Sequence, residues 1–137
     1  MTAFTQRFAD AAEALIGSPY RLYGRNPSTG LDCVGFVLSA LAVSGRTTCE
    51  LPSYGLRNIG IARHLMFAEK NGFSPATGAC SRGDLVLVEP GPGQHHLLVA
   101  LGRNRFAHAH AGARKALCQT GLASWSLTAH WRPLDLD

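Results

Sequence analysis

An α+β fold, with N-terminal helices packed on one face of an antiparallel sheet of about five strands, is what this sequence predicts. Three observations predict it. Apolar residues recur at helical spacing only ahead of Asn71, and from Gly83 onward the pattern changes to short β-type runs divided by turn residues. Helices followed by a meander place the helices on one side of the sheet. The chain of 137 residues, 46% hydrophobic and 16% charged, is long enough for one core and too short for two, so residues 1–137 are read as a single domain.

The first helix is expected over residues 2–16, where Phe4, Phe8, Ala11, Ala12 and Leu15 share a face, and Gly17-Ser18-Pro19 stops it. Residues 20–30 read as a loop punctuated by Gly24, Asn26-Pro27 and Gly30. Asp32 is a good N-cap for a second helix from Cys33 to about Ser44, with Gly45 as its stop. Val34, Phe36, Val37, Leu38, Ala40, Leu41 and Val43 make that helix apolar on nearly every side, which predicts burial. A polar link over 47–58 leads to a third helix over 59–70, ended by Asn71-Gly72. Strands are expected over 84–89, 96–101, 105–110, 114–120 and 129–133, with Pro90-Gly91-Pro92-Gly93 turning the first pair. No internal repeat, linker or low-complexity tract interrupts this order.

Composition narrows the partners. The net charge of +4 comes from Arg and Lys scattered along the chain, which argues against the concentrated basic face that nucleic acid requires. No run approaches the ~20 apolar residues of a membrane helix. Residues 1–16 carry Arg7, Asp10 and Glu13 and lack the continuous apolar stretch of a secretory signal, so the chain is expected to be cytoplasmic at synthesis. Cys33, Cys49, Cys80 and Cys118 are widely spaced and are read as free thiols.

The chemistry centres on Cys33. A cysteine at a helix start sits among unpaired N–H groups and the positive end of the helix dipole, which favour the nucleophilic thiolate. Gly30 and Gly35 read as clearance for a substrate backbone, whereas Cys49, Cys80 and Cys118 read as packing residues. Bases for such a nucleophile lie in Gln94-His95-His96 and Ala107-His108-Ala109-His110. Side chains alternate along a strand, so only one of His95 and His96 faces Cys33. His108 and His110 share a face, with Ala107 and Ala109 on the other. A plain two-residue turn after Gly102 would put His96 and His108 on opposite faces; an odd turn or a bulge puts them on one, and we expect the odd turn or bulge. In that register His110 sits opposite His96 and His108 diagonally, and register alone does not choose between them. Tyr20 reads either as an aromatic over the core or as a hydroxyl donor toward the sulfur or a developing oxyanion. No close cysteine pairs mark a zinc site, and a gathering of Cys80 with His95, His96 and His108 is read as incidental, so neither metal nor other cofactor is expected. A Gly-x-Ser-x-Gly elbow and a glycine-rich phosphate loop are both absent from the sequence.

Taken together, Gly17-Ser18-Pro19-Tyr20-Arg21-Leu22-Tyr23-Gly24, Leu31-Asp32-Cys33-Val34-Gly35-Phe36-Val37, Gly83-Asp84-Leu85-Val86, His96-Leu97-Leu98-Val99-Ala100-Leu101-Gly102 and Phe106-Ala107-His108-Ala109 resemble the NlpC family of cell-wall cysteine peptidases. The resemblance runs from Gly17 to about His110 and is strongest to the short, single-domain members of phage and gene-transfer-agent tail clusters. It implies a papain-like fold in which Cys33 is the nucleophile, His96 the base and His108 the residue that orients His96, with Tyr20 beside the nucleophile. The His-Ala pair at His108-Ala109 favours His108, although His110-Ala111 repeats it. Asp32, Val34 and Gly35 would border the substrate, and Val34 stands where the family usually has serine. The implied substrate is a peptidoglycan stem peptide, cut between D-glutamate and a diamino acid through a thioester intermediate. The implied partners are phage-type tail proteins, in a particle that acts on the cell wall. Two other readings keep the fold: cysteine chemistry on a different amide, and a non-catalytic module of a phage-type tail.

Overall fold

A computed structural model describes residues 2–52, 54 and 61–134. Helix α1, Ala3–Ala14, starts where the Thr2 hydroxyl accepts the Thr5 N–H at 3.0 Å, and buries Phe4, Phe8, Ala11 and Ala12. The following loop contains an unexpected two-stranded antiparallel ribbon of β1, Arg25–Asn26, and β2, Gly30–Leu31. Helix α2, Cys33–Val43, is capped by Asp32 as expected, but its last residue is not buried: Val43 is 75% exposed. Helix α3 runs Ala62–Lys70, and the expected first turn at 59–60 lies outside the described residues.

The remaining strands are β3 (Phe73–Pro75), β4 (Leu85–Gly91), β5 (Gln94–Gly102), β6 (Arg105–His110), β7 (Lys115–Thr120) and β8 (Ser126–Pro133). They form one sheet in the order β3-β8-β4-β5-β6-β7, with every neighbouring pair antiparallel. The α+β class holds, with six strands in this sheet rather than about five. The extra one, β3, is three residues ending in proline, too short for a period-2 signal. The β4–β5 turn is tighter than expected, only Pro92 and Gly93, because Gly91 already pairs with Gln94.

Alternation divides the sheet into two apolar faces. Leu85, Leu87, Leu97, Val99 and Ala107 join Phe8, Phe36, Val37 and Leu41 in the main core beneath α1 and α2. Fully burying a Phe or Leu side chain contributes roughly 1.5–3 kcal/mol, so this face carries most of the fold's stability. Val86, Val88, Leu98, Ala100 and Phe106 face the other way and are covered by Leu122 and Trp125 from the β7–β8 connection. The buried Asp84 ties β4 to β8 by accepting from Arg132 and His130.

The β5–β6 hairpin decides where the histidines point. Gly102 pairs with Arg105 across a two-residue turn, Arg103 and Asn104, both with left-handed φ of 55° and 58°. Ala100 pairs with Phe106, which leaves Leu101 as an extra residue in the ladder. This is the expected bulge, and it brings His96 and His108 to one face. Among the described residues, no helix is long and apolar enough to cross a membrane.

Candidate active site

The site is assembled where α2 begins and β5 and β6 part. Asp32 fixes the first point. Its carboxylate accepts the Gly35 N–H at 2.8 Å, the Tyr23 N–H at 2.8 Å and Arg25 Nη1 at 3.0 Å, and the Tyr54 hydroxyl also donates to it. Arg25 in turn grips Glu50 and Tyr54. Asp32 is 1% exposed, so its charge is held almost wholly by protein donors. Cys33 follows immediately, as the first residue of α2.

The β5–β6 ladder registers only as far as Val99–Ala107. Two residues nearer the open end, the Leu97 N–H is close enough to the Cys33 sulfur to favour its thiolate form. The thiol therefore lies against the residue that follows His96. Tyr20, Cys33, Val34, His96, His108 and Trp125 all border one cleft of about 290 Å³.

His96 and His108 form the second part. Nε2 of His96 is 2.6 Å from Nδ1 of His108, and Nε2 of His108 is 2.7 Å from Oε1 of Gln119. Trp125 stands edge-on to both imidazoles, at centroid distances of 6.5 and 6.0 Å. The diagonal neighbour, not the opposite one, is bonded to His96. His110 lies 5.5 Å from the His108 ring, but its Nδ1 accepts the Ala113 N–H at 3.0 Å and so closes the β6–β7 turn.

Electrostatics correct one expectation. Burial pushes the Cys33 thiol up to about 11, against the pull of the Leu97, Val34 and Cys33 N–H groups, and Asp32 adds to the rise. The helix start does favour the thiolate, but desolvation outweighs it. Burial, then His108 and His110, bring His96 down to about 3, and burial brings His108 down to about 4. Both rings are neutral at pH 7. Burial, with Cys33 and Asp32, raises Tyr20 to about 12, which keeps its hydroxyl protonated as a donor.

The glycines are a second correction. A Cβ on Gly35 would lie 2.1 Å from the Gly24 carbonyl oxygen, and one on Gly30 would lie 2.4 Å from the Arg21 Cβ. Their missing side chains make room for the chain's own loop, and neither residue borders the cleft. Asp32 and Val34 do border it. All four cysteines are free, but Cys49 and Cys118 are exposed rather than packed. Cys80 sits against the Val86–Phe106 cluster, outside the cleft, and among the described residues no group of three or more His, Cys, Asp or Glu could hold a metal ion.

Sequence reasoning missed three contributors, His64, Trp125 and Gln119. His64 of α3 and His95 pair their rings at 5.7 Å in the cleft wall. Trp125 comes from a connection with no sequence signal for the site. Gln119 was findable: once β6 and β7 are in register, His108 pairs with Leu117 and Gln119 is its diagonal neighbour.

The model of the NlpC/P60 family matches residues 17–129. No curated protein matches the chain. Among solved structures, the NlpC/p60 domain of the peptidoglycan hydrolase SagA superposes with a TM-score of 0.63 at 23% identity, covering 92% of this chain and 96% of that one. NlpC1 from Trichomonas vaginalis gives 0.72 at 17% identity, over 94% of this chain and 43% of that one. An NlpC/P60 family protein from Bacillus cereus gives 0.70 at 18% identity, over 96% and 40%. The chain thus spans less than half the length of the last two, and these likenesses establish a shared fold.

Proposed function

The chain belongs to the NlpC/P60 family, and from that premise we propose that it is a cysteine peptidase acting on peptidoglycan stem peptides. Cys33 is the nucleophile in this reading, His96 the base, and His108 the residue that orients His96. The observation that carries it is the opening of Cys33, His96 and His108 onto one cleft, with Nε2 of His96 held 2.6 Å from Nδ1 of His108. The likeness to a domain of the peptidoglycan hydrolase SagA supports the substrate class. Scission between D-glutamate and a diamino acid, and delivery by phage-type tail proteins, rest on the motif resemblance.

The mechanism starts from a neutral thiol and a neutral imidazole. As the sulfur attacks the amide carbonyl, its proton passes to His96, so the base acts during bond formation rather than through a standing ion pair. The oxyanion takes hydrogen bonds from the Cys33 N–H and the Tyr20 hydroxyl. His96 returns the proton to the leaving amine, which departs and leaves a thioester on Cys33. Water, deprotonated by His96, then attacks the thioester and frees the new carboxylate and the thiol. Val34 and Asp32 form part of the wall against which the peptide lies.

Incubating wild type and Cys33→Ala with purified peptidoglycan, followed by mass analysis of the released muropeptides, tests the reading. Wild type should release fragments with new amino termini, their masses naming the bond, and Cys33→Ala should release none while melting at an unchanged temperature. Release by Cys33→Ala at the wild-type rate would overturn it.

A further inference from the structure

We propose that Gln119 is a positioning residue that selects the tautomer of both imidazoles and leaves Nδ1 of His96 as the unprotonated ring nitrogen. The proposal rests on His96 being the base. It concerns how that nitrogen comes to carry a lone pair.

The argument is one of donors and acceptors. Nε2 of Gln119 donates to the Gly121 carbonyl at 2.9 Å. A carbonyl can only accept, so the amide is fixed with its NH₂ toward Gly121 and Oε1 toward His108. Oε1 can also only accept, so the proton on His108 sits on Nε2, 2.7 Å away. A neutral His108 then has a bare Nδ1, which accepts from His96 Nε2 at 2.6 Å. With its proton committed there, His96 keeps a lone pair on Nδ1. Among the described residues that nitrogen has no hydrogen-bond partner.

One backbone carbonyl therefore sets the direction of three successive bonds. Reversing the His96 tautomer would set two acceptors face to face, either at His108 and Oε1 or, after an amide flip, at Oε1 and the Gly121 carbonyl. The relay is possible because His96, His108 and Gln119 are diagonal neighbours across β5, β6 and β7. Gln119 is half-buried, so the chain end of the relay is screened but not sealed.

Imidazole ¹⁵N chemical shifts distinguish the two tautomers directly, in protein without substrate. In wild type both His96 and His108 should carry the proton on Nε2. Gln119→Glu, which keeps an acceptor, should preserve that pattern. Gln119→Lys, which offers only donors, should invert it at both rings and lower kcat on the order of a hundredfold with little change in KM, because the base nitrogen is blocked. Gln119→Leu should give mixed tautomers and a loss of about tenfold. A proton on His96 Nδ1 in wild type overturns the proposal, and so do unchanged His96 shifts in the Lys and Leu variants. The shifts are read without turnover, so a chain that proves inactive on peptidoglycan would refute the peptidase reading while the tautomer result stood or fell separately.

Discussion

Iodoacetamide should find Cys33 a slow target at neutral pH. Burial lifts the thiol from 9.0 to about 11, which cuts the thiolate fraction at pH 7.5 about a hundredfold. The more basic thiolate is also the better nucleophile, and a Brønsted slope of about 0.4–0.5 restores roughly six- to tenfold. The net expectation is alkylation about ten- to fifteenfold slower than that of free cysteine. Peptide mapping by mass spectrometry separates Cys33 from the three other free thiols and gives its rate at each pH. The logarithm of that rate should climb with unit slope through pH 9 and bend only near 11. Replacing His96 by Ala should leave the bend near pH 11 where it is, since a neutral imidazole does not hold a thiolate in place. An inflection below about pH 8, lost in His96→Ala, would show a resting thiolate–imidazolium pair and refute the burial argument.

Three further outcomes follow from the geometry. Gly35→Ala drives a methyl group into the Gly24 carbonyl at 2.1 Å and should lower stability by at least about 1–3 kcal/mol in urea unfolding; a wild-type midpoint would mean the ribbon and α2 do not pack as described. Asp32→Ala removes the α2 cap and the acceptor of the Tyr23 N–H and the Tyr54 hydroxyl, while Arg25 keeps Glu50, so a cost of about 2–4 kcal/mol is expected. Asp32→Asn, which keeps the capping oxygen, should cost clearly less, and equal costs would dismiss the cap. His64, His96 and His108 fall from 6.5 to about 4, 3 and 4 on folding. The unfolded chain therefore binds protons near pH 6.5 that the folded chain refuses until about pH 4, and stability falls as pH drops through that window. A flat urea midpoint between pH 7 and 4.5 would contradict the burial of these rings.

What was legible in the sequence was what local pattern controls. Asp32 before an apolar run announced a capped helix, and the spacing of His96 and His108 required the hairpin irregularity that Leu101 supplies. The diagonal choice of His108 over His110 was not readable from register. It depends on the Ala113 N–H claiming the His110 ring. The protonation of Cys33 was misjudged for a similar reason. Helix-end N–H groups are visible in sequence, whereas the desolvation that overrides them comes from burial in the folded chain. Gly30 and Gly35 looked like openings because a glycine does not say which side its absent methyl would occupy.

The extra residue at Leu101 gives the hairpin a parity. Removing one residue there, or adding one beyond it, would still let two strands zip together, yet it would send the paired rings to opposite sides of the sheet. Changes by two would keep them together. This short connection can therefore vary in length only in even steps without parting its two imidazoles, a constraint that stability measurements alone would never reveal.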